Sequence, residues 1–235
     1  MKSLYKIAAI SLAMAFMACD DSTSASDNGG NDGGNGGNGG ADVTCTDEPV
    51  NCPDVEYENE VYDIRDCKHY KIKAFGTQTW MIENLDYTSC NISGENWCYE
   101  DKPENCEQYG RLYTWTAAMG LDKSYQKNYV NLADGTVTRG LCPAGYHIPS
   151  DAETDILIAY LGDNVDEFNF QYGGRNSFAG FDDLGREAYL WTADEDHSEL
   201  GGPRNARSWS YWENFSFGGG SVFKDSGLSI RCVKD

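Results

Sequence analysis

Basic side chains are scarce. Eighteen Lys and Arg stand against 38 Asp and Glu, a formal charge of −20 over 235 residues. Nucleic acid is excluded as a partner, because phosphate binding needs basic clusters. Anionic lipid is excluded as an electrostatic partner for the same reason. Such a surface resists self-association and attracts cations. Histidine is nearly as sparse: the chain holds three, His69, His147 and His197. None has a Ser or Cys partner in a recognisable motif, and GxSxG, HExxH and the P-loop do not occur. There is no CxxC and no Cys–His cluster with zinc spacing. With so little nucleophile-and-base chemistry, the expectation is a protein that is not an enzyme. The apolar run Ile7–Ala18 has twelve residues, too few for a bilayer-spanning helix, which needs about 20. Aromatics are plentiful at 13% of residues, with six Trp and fifteen Tyr. That is too many for a disordered chain and enough for a packed core.

The N-terminus reads as an export signal. Met1–Lys6 is short and basic, and Ile7–Ala18 is its apolar core. Ala18 is followed at once by Cys19, which resembles a bacterial lipobox and implies cleavage before Cys19 and diacylation of its thiol. Nine cysteines are present. Lipidation of Cys19 leaves eight, an even number for disulfides. Asp20 and Asp21 resemble a surface-export signal in some bacterial lineages and an inner-membrane retention signal in others. The outer membrane or cell surface is the preferred expectation over the periplasmic face of the inner membrane. Residues 28–40 are eight Gly, four Asn and one Asp, a composition that buries nothing and stays a flexible coil. Three segments follow: a signal at 1–18, a lipidated tether at 19–44 with a reach on the order of 25–30 Å, and a globular domain at 45–235, its core about 63–235.

Within the domain, His69–Ala74 alternates as a strand. Thr77–Leu85 does likewise with Trp80 and Ile82 on one face, and Gly76–Thr77 forms a turn between them. Residues 86–108 are polar and cysteine-rich. Arg111–Met119 carries Leu112, Trp115, Ala118 and Met119 in a helical stripe. Residues 121–140 read as an excursion with a turn at Asp134–Gly135. Ser150 and Glu153 form a capping box that opens a helix over 151–161, with Ile156, Leu157, Tyr160 and Leu161 as its buried face and Gly162 ending it. Ala188–Ala193, Ser208–Phe217 and Leu228–Val233 are strand candidates. Two helices among short strands and many turns indicate an α+β domain.

Five segments resemble the Fibrobacter succinogenes major paralogous domain, in that family's order: TQTWMIENLDY (77–87), WCYEDKPENCEQYGRLYTW (97–115), LCPAGYHIPSDAE (141–153), LWTADE (190–195) and SIRCVKD (229–235). The HIPSDAE and IRCV segments also resemble formylglycine-generating enzymes and the wider C-type-lectin-like fold. The resemblance implies a single disulfide-stapled domain with two helices, a small twisted antiparallel sheet and long loops, its ends meeting in one sheet. Formylglycine-generating enzymes use paired reactive cysteines in late loops. This chain has no cysteine between Leu190 and Arg231, so that activity is not carried over. Eight cysteines allow 105 pairings. Cys98 and Cys106 are close enough to close one polar loop, and the lectin-like resemblance makes Cys142 and Cys232 adjacent. Cys45–Cys52 and Cys67–Cys90 then remain by elimination.

Two candidate sites stand out. Asp194, Glu195, Asp196 and Glu199 are close enough in sequence to offer oxygen ligands to calcium, although a solvated acidic loop is the favoured reading. No other cofactor is implied. The same acids, with Asp182 and Asp183, offer carboxylate pairs for glycoside hydrolysis, but a chain this acidic produces pairs by chance. Trp191, Trp209, Tyr211 and Trp212, with Arg204 and Arg207 nearby, offer rings and donors suited to sugars; packing into the core is the competing reading. Trp209 and Tyr211 share a face and Trp212 opposes them, so one set is buried if the sheet is one-sided. The expected function is an envelope-anchored, non-catalytic module binding polysaccharide or cell-surface glycan. The alternative is a structural or protein-interaction component of the envelope with no sugar ligand. The lipid would make the membrane a partner in either case.

Overall fold

Alternation in the sequence becomes pairing in the first sheet. The computed structural model describes residues 50–53, 57–130, 138–199, 201–212 and 216–235, all within the unit Thr44–Asp235. The signal, Cys19, the tether, Cys45 and the Asp134–Gly135 turn lie outside the described residues. β1 (Glu60–Asp63), β2 (Lys68–Phe75) and β3 (Gln78–Met81) form an antiparallel meander turning at Gly76. Gly76 has φ +62°, a left-handed conformation that glycine adopts without a Cβ penalty. β12 (Val233–Lys234) and β6 (Tyr146–His147) complete this sheet in the order β1-β2-β3-β12-β6. The first and last strands of the described residues therefore share a sheet.

A second five-stranded sheet runs β11-β10-β9-β7-β8. It contains β7 (Gly173–Ser177), β8 (Gly180–Leu184), β9 (Glu187–Glu195), β10 (Asn205–Trp212) and β11 (Ser216–Phe223), with only β7 and β9 parallel. The small pair β4 (Asn96–Trp97) and β5 (Leu112–Tyr113) stands apart. The helices are α1 (Pro103–Tyr109), α2 (Trp115–Ala118) and α3 (Asp151–Leu161). α3 has the reciprocal cap: Glu153 N–H donates to Ser150 Oγ at 3.3 Å, and Ser150 N–H to Glu153 Oε2 at 2.9 Å. No helix of the described residues is long and apolar enough to cross a membrane.

The class is mixed α+β, and several elements differ from the sequence expectation. Arg111–Met119 is not one helix. It is β5 followed by a single turn capped by Thr114, and Trp115 to Ala118 are all buried, so no polar face marks the period. α1 replaces part of the expected polar loop, with Pro103 at its start. Ser208–Phe217 is not one strand but parts of β10 and β11. Only Val233–Lys234 pairs as a strand at the C-terminal end, while Leu228 and Ser229 make single bridges to Tyr113 and Leu190. In α3 the buried residues are Thr154, Leu157 and Leu161, and Ile156 and Tyr160 are exposed.

Two apolar clusters fill the interior. One gathers Tyr113, Trp115, Trp191 and Ile230 with Cys142 and Cys232. The other gathers Phe75, Trp80, Leu157, Phe168 and Trp209. Cys98–Cys106 and Cys142–Cys232 are disulfides. The pairing reached by elimination is corrected: Cys52 bonds Cys67. Their segments flank β1 and return to the same end of it, which sequence spacing does not reveal. Cys90 is also disulfide-bonded, and not to Cys67.

Candidate functional site

A half-open cleft of about 180 Å³ lies where four separate segments meet: Arg65, the stretch 87–93, the end of α2, and Leu141. Asp63, the last residue of β1 and 2% exposed, orients the arginine. Arg65 Nε donates to Asp63 Oδ1 at 2.8 Å and Nη2 to Oδ2 at 2.5 Å. Nη2 also donates to Leu141 O at 2.6 Å, joining the far wall to the near one. The guanidinium lies 3.8 Å from the centroid of the Tyr87 ring, a cation–π contact. Burial works against the charge on Arg65. The hydrogen bond and charge of Asp63, with Tyr87 and Asp66, outweigh it and move its pKa upward.

The other walls follow from local turns. Tyr87 N–H donates to Tyr113 Oη at 2.9 Å, and Tyr113 Oη donates back to Tyr87 O at 2.7 Å. The Tyr87 backbone is thus fixed to the buried Tyr113. Ser89 Oγ accepts from Asn91 N at 3.1 Å, shaping the turn that presents Ser89, Asn91, Ile92 and Ser93. Leu141 N–H donates to Ala118 O at 2.9 Å. A Cβ on the preceding Gly140, at φ +53°, would stand 2.2 Å from that same oxygen, so only glycine lets the floor close. The lining offers an aromatic ring, a guanidinium, two hydroxyls, a carboxamide and small apolar surface. Among the described residues it contains no carboxylate, imidazole or thiol.

The residues singled out from the sequence lie elsewhere and do not converge. Trp191, Trp209 and Tyr211 are 0%, 3% and 2% exposed, which corrects the expectation that they face a ligand. Trp191 Nε1 donates to Tyr113 O at 2.7 Å. Trp209 packs on Phe168 and Phe170, and Tyr211 stacks on Phe170 at 4.3 Å. Trp212, on the opposite face of β10, is half exposed. Arg204 pairs with Asp225 at 3.6 Å and lies over Phe223. Arg207 Nε donates to Asp151 Oδ2 at 2.8 Å.

The acids singled out for calcium have separate surroundings. Glu195 Oε1 is 2.5 Å from Lys224 Nζ in a pair of side chains 1% and 0% exposed, and both Glu195 oxygens accept from Val130 N–H at 3.0 Å. Asp194 accepts from Asp151 N–H and Asp196 from Ser198 N–H. Glu199 is exposed. These carboxylates face different partners, and among the described residues no group of three or more His, Cys, Asp or Glu is placed to hold a metal ion. Asp182 and Asp183 engage Arg175 and Arg186.

Sequence reasoning missed the cleft. Tyr87 ends the TQTWMIENLDY segment and Arg65 sits in a stretch with no periodicity, so neither announces a concave surface. Residues 74–174 match the family model of the Fibrobacter succinogenes major domain. The match takes in the segments at 77–87, 97–115 and 141–153 and ends before 190–195 and 229–235. No curated protein and no solved structure shows a significant match to the chain.

Proposed function

We propose that this chain, which carries a Fibrobacter succinogenes major domain over residues 74–174, is an envelope lipoprotein whose domain is a non-catalytic module binding polysaccharide or cell-surface glycan. The observation that carries the reading is the cleft at Arg65 and Tyr87. It supplies a ring for stacking and several hydrogen-bonding groups, with no carboxylate, imidazole or thiol among the described residues of its lining. Sites that bind without reacting have this composition. The sequence adds a lipobox-like Cys19 and a Gly/Asn tether, which would hold the domain off a membrane with freedom to reach a ligand. A C-type-lectin-like arrangement is the finer reading of the fold. It is supported by the presence of β1 and β12 in one sheet and by the Cys142–Cys232 bond.

The test is retention of the oxidised protein on cellulose, xylan and a broad glycan panel. Retention that drops in Tyr87→Ala is expected, and no retention on any glycan overturns the reading. Anchoring is tested separately: incorporation of labelled palmitate is expected in the native chain and lost in Cys19→Ser. A second reading, an envelope protein-interaction component, is favoured by Phe178. It stands at the turn between β7 and β8 with 97% of its surface exposed, an unusual place for a large apolar side chain. A specific partner recovered from native membranes and lost in Phe178→Ser would support it.

A further inference from the structure

The charge balance of the cleft narrows the ligand class, an inference that rests on the glycan-binding reading above. Among the described residues Arg65 is the only charged one in the lining, and its charge is already matched. Asp63 binds it through two nitrogens, and Asp66 also acts on it. A ligand carboxylate arriving here meets a neutralised cation with a buried carboxylate behind it. Leu141 O takes a further hydrogen bond from Nη2, which leaves Nη1 uncommitted among the described residues. Nη1 is therefore a donor suited to a neutral oxygen. Ser89 and Ser93 add hydroxyls, while Ile92 and the Tyr87 ring add apolar surface. The volume, about 180 Å³, is below the roughly 300–1,000 Å³ of pockets for drug-sized molecules, so it takes one ring. The chain as a whole carries −20, which repels polyanions at long range.

We propose that the Arg65–Tyr87 cleft binds one neutral, hydroxyl-rich sugar ring of a polysaccharide and discriminates against uronic and other acidic sugars. The neutral ring lays its C–H face on the apolar surface and offers oxygens to Nη1 and the serine hydroxyls. An acidic ring has no free cation to meet.

The experiment uses the full oxidised chain and titration calorimetry near physiological salt. The probes are cellohexaose, xylohexaose and hexagalacturonate. The variants are Tyr87→Ala, which removes the ring, and Ser93→Tyr, which fills the cleft from its rim without altering the core. Near-UV circular dichroism confirms that each variant folds. Binding of a neutral hexasaccharide is expected, weakened about tenfold or more in both variants, a change of about 1.4 kcal/mol. Hexagalacturonate is expected to bind at least tenfold more weakly than the neutral probes. Acidic binding equal to or tighter than neutral overturns the charge class. Neutral binding that survives both variants overturns the cleft while leaving the glycan-binding reading standing. No binding of any probe overturns this inference, and the panel result then decides whether the broader reading falls with it.

Discussion

Arg231 is buried, and its hydrogen bonds go to neutral oxygens, with the charge of Glu83 acting from further off. Nε donates to Asn84 Oδ1 at 2.8 Å, Nη1 to Phe168 O at 2.6 Å and Nη2 to Asn169 O at 2.7 Å, over the Phe168 ring. Desolvation lowers its pKa to about 9. The planar fork reaches three acceptors at once, which a lysine ammonium on its single stem does not. Arg231→Lys is therefore expected to destabilise the fold by on the order of 3 kcal/mol, since each buried acceptor left unmade costs about 1–3 kcal/mol. Urea unfolding measures it, and a loss under about 1 kcal/mol contradicts the account. His147 is the second such residue. Its Nδ1 is 2.9 Å from Asp235 Oδ1 and its Nε2 2.9 Å from Glu153 Oε1. Only the imidazolium donates from both nitrogens. The hydrogen bond that His147 donates to Glu153 is the largest influence on it, and burial opposes it; the net shift is upward from 6.5. Its contribution to stability is fully present below pH 6.5 and fades as pH rises through the raised value. For Glu153, burial acts to raise the pKa, but the bonds from His147 and Ser150 outweigh it and lower it from 4.5 to about 2. That contribution is present above pH 4.5 and fades as pH falls toward 2. Melting temperatures of wild type and His147→Gln are expected to differ most between pH 4.5 and 6.5 and to converge at higher pH. A constant difference up to pH 9 refutes the arrangement.

At the scale of elements, legibility followed local chemistry. The capping box at Ser150 and Glu153 needs only residues three apart, so the start of α3 was readable. Its buried face was not. Ile156, Leu157, Tyr160 and Leu161 are all apolar, and the sequence does not say which side meets the core. The structure buries Leu157 and Leu161 and leaves Ile156 52% and Tyr160 54% exposed. Leu157→Ala is accordingly expected to cost about 2–5 kcal/mol, and Ile156→Glu to stay within about 0.5 kcal/mol, both read by denaturant midpoint. Equal costs would mean the helix is rotated from this placement. β11 was only half visible because Gly218, Gly219 and Gly220 sit in mid-strand opposite Ser210, Trp209 and Ser208, and glycine carries no strand preference. The cleft was invisible for another reason. Its walls come from residues 65, 87–93, 117–120 and 141, and no periodicity within any one of them marks a shared hollow. Ser89, Asn91, Ile92 and Ser93 flank the disulfide-bonded Cys90. Cys90→Ser is expected to speed amide hydrogen exchange over 88–93 while leaving α3 protected. Unchanged exchange there would show that the turn hydrogen bonds alone hold the rim.

For the whole molecule, the order in which cross-links matter follows from how much chain each one closes. Cys142 and Cys232 are 90 residues apart, Cys52 and Cys67 are 15, and Cys98 and Cys106 are 8. In the loop-entropy account these restrain the unfolded chain by about 4–5, about 3 and about 2.5 kcal/mol. Position reinforces the ranking. Cys142 and Cys232 are fully buried within the larger apolar cluster, next to the strand β12 that joins β3 to β6. The Cys98–Cys106 bond only ties Cys98, just after β4, to α1. Only part of this ranking was open to sequence reading: the short loop was suggested by spacing and the long one by family resemblance. The Cys52–Cys67 bond was not, because Cys52 precedes β1 and Cys67 follows it, and spacing does not say that both lie at the same end of that strand. Paired alanine substitutions at each bridge, compared by urea unfolding, are expected to lose stability in the order Cys142/Cys232, Cys52/Cys67, Cys98/Cys106. The first pair is expected to lose on the order of 4–5 kcal/mol, close to the whole stability of a marginal domain. If the Cys98/Cys106 variant is the least stable, residual structure or native packing around α1 governs stability in place of chain entropy. The loop-length argument then fails for this fold.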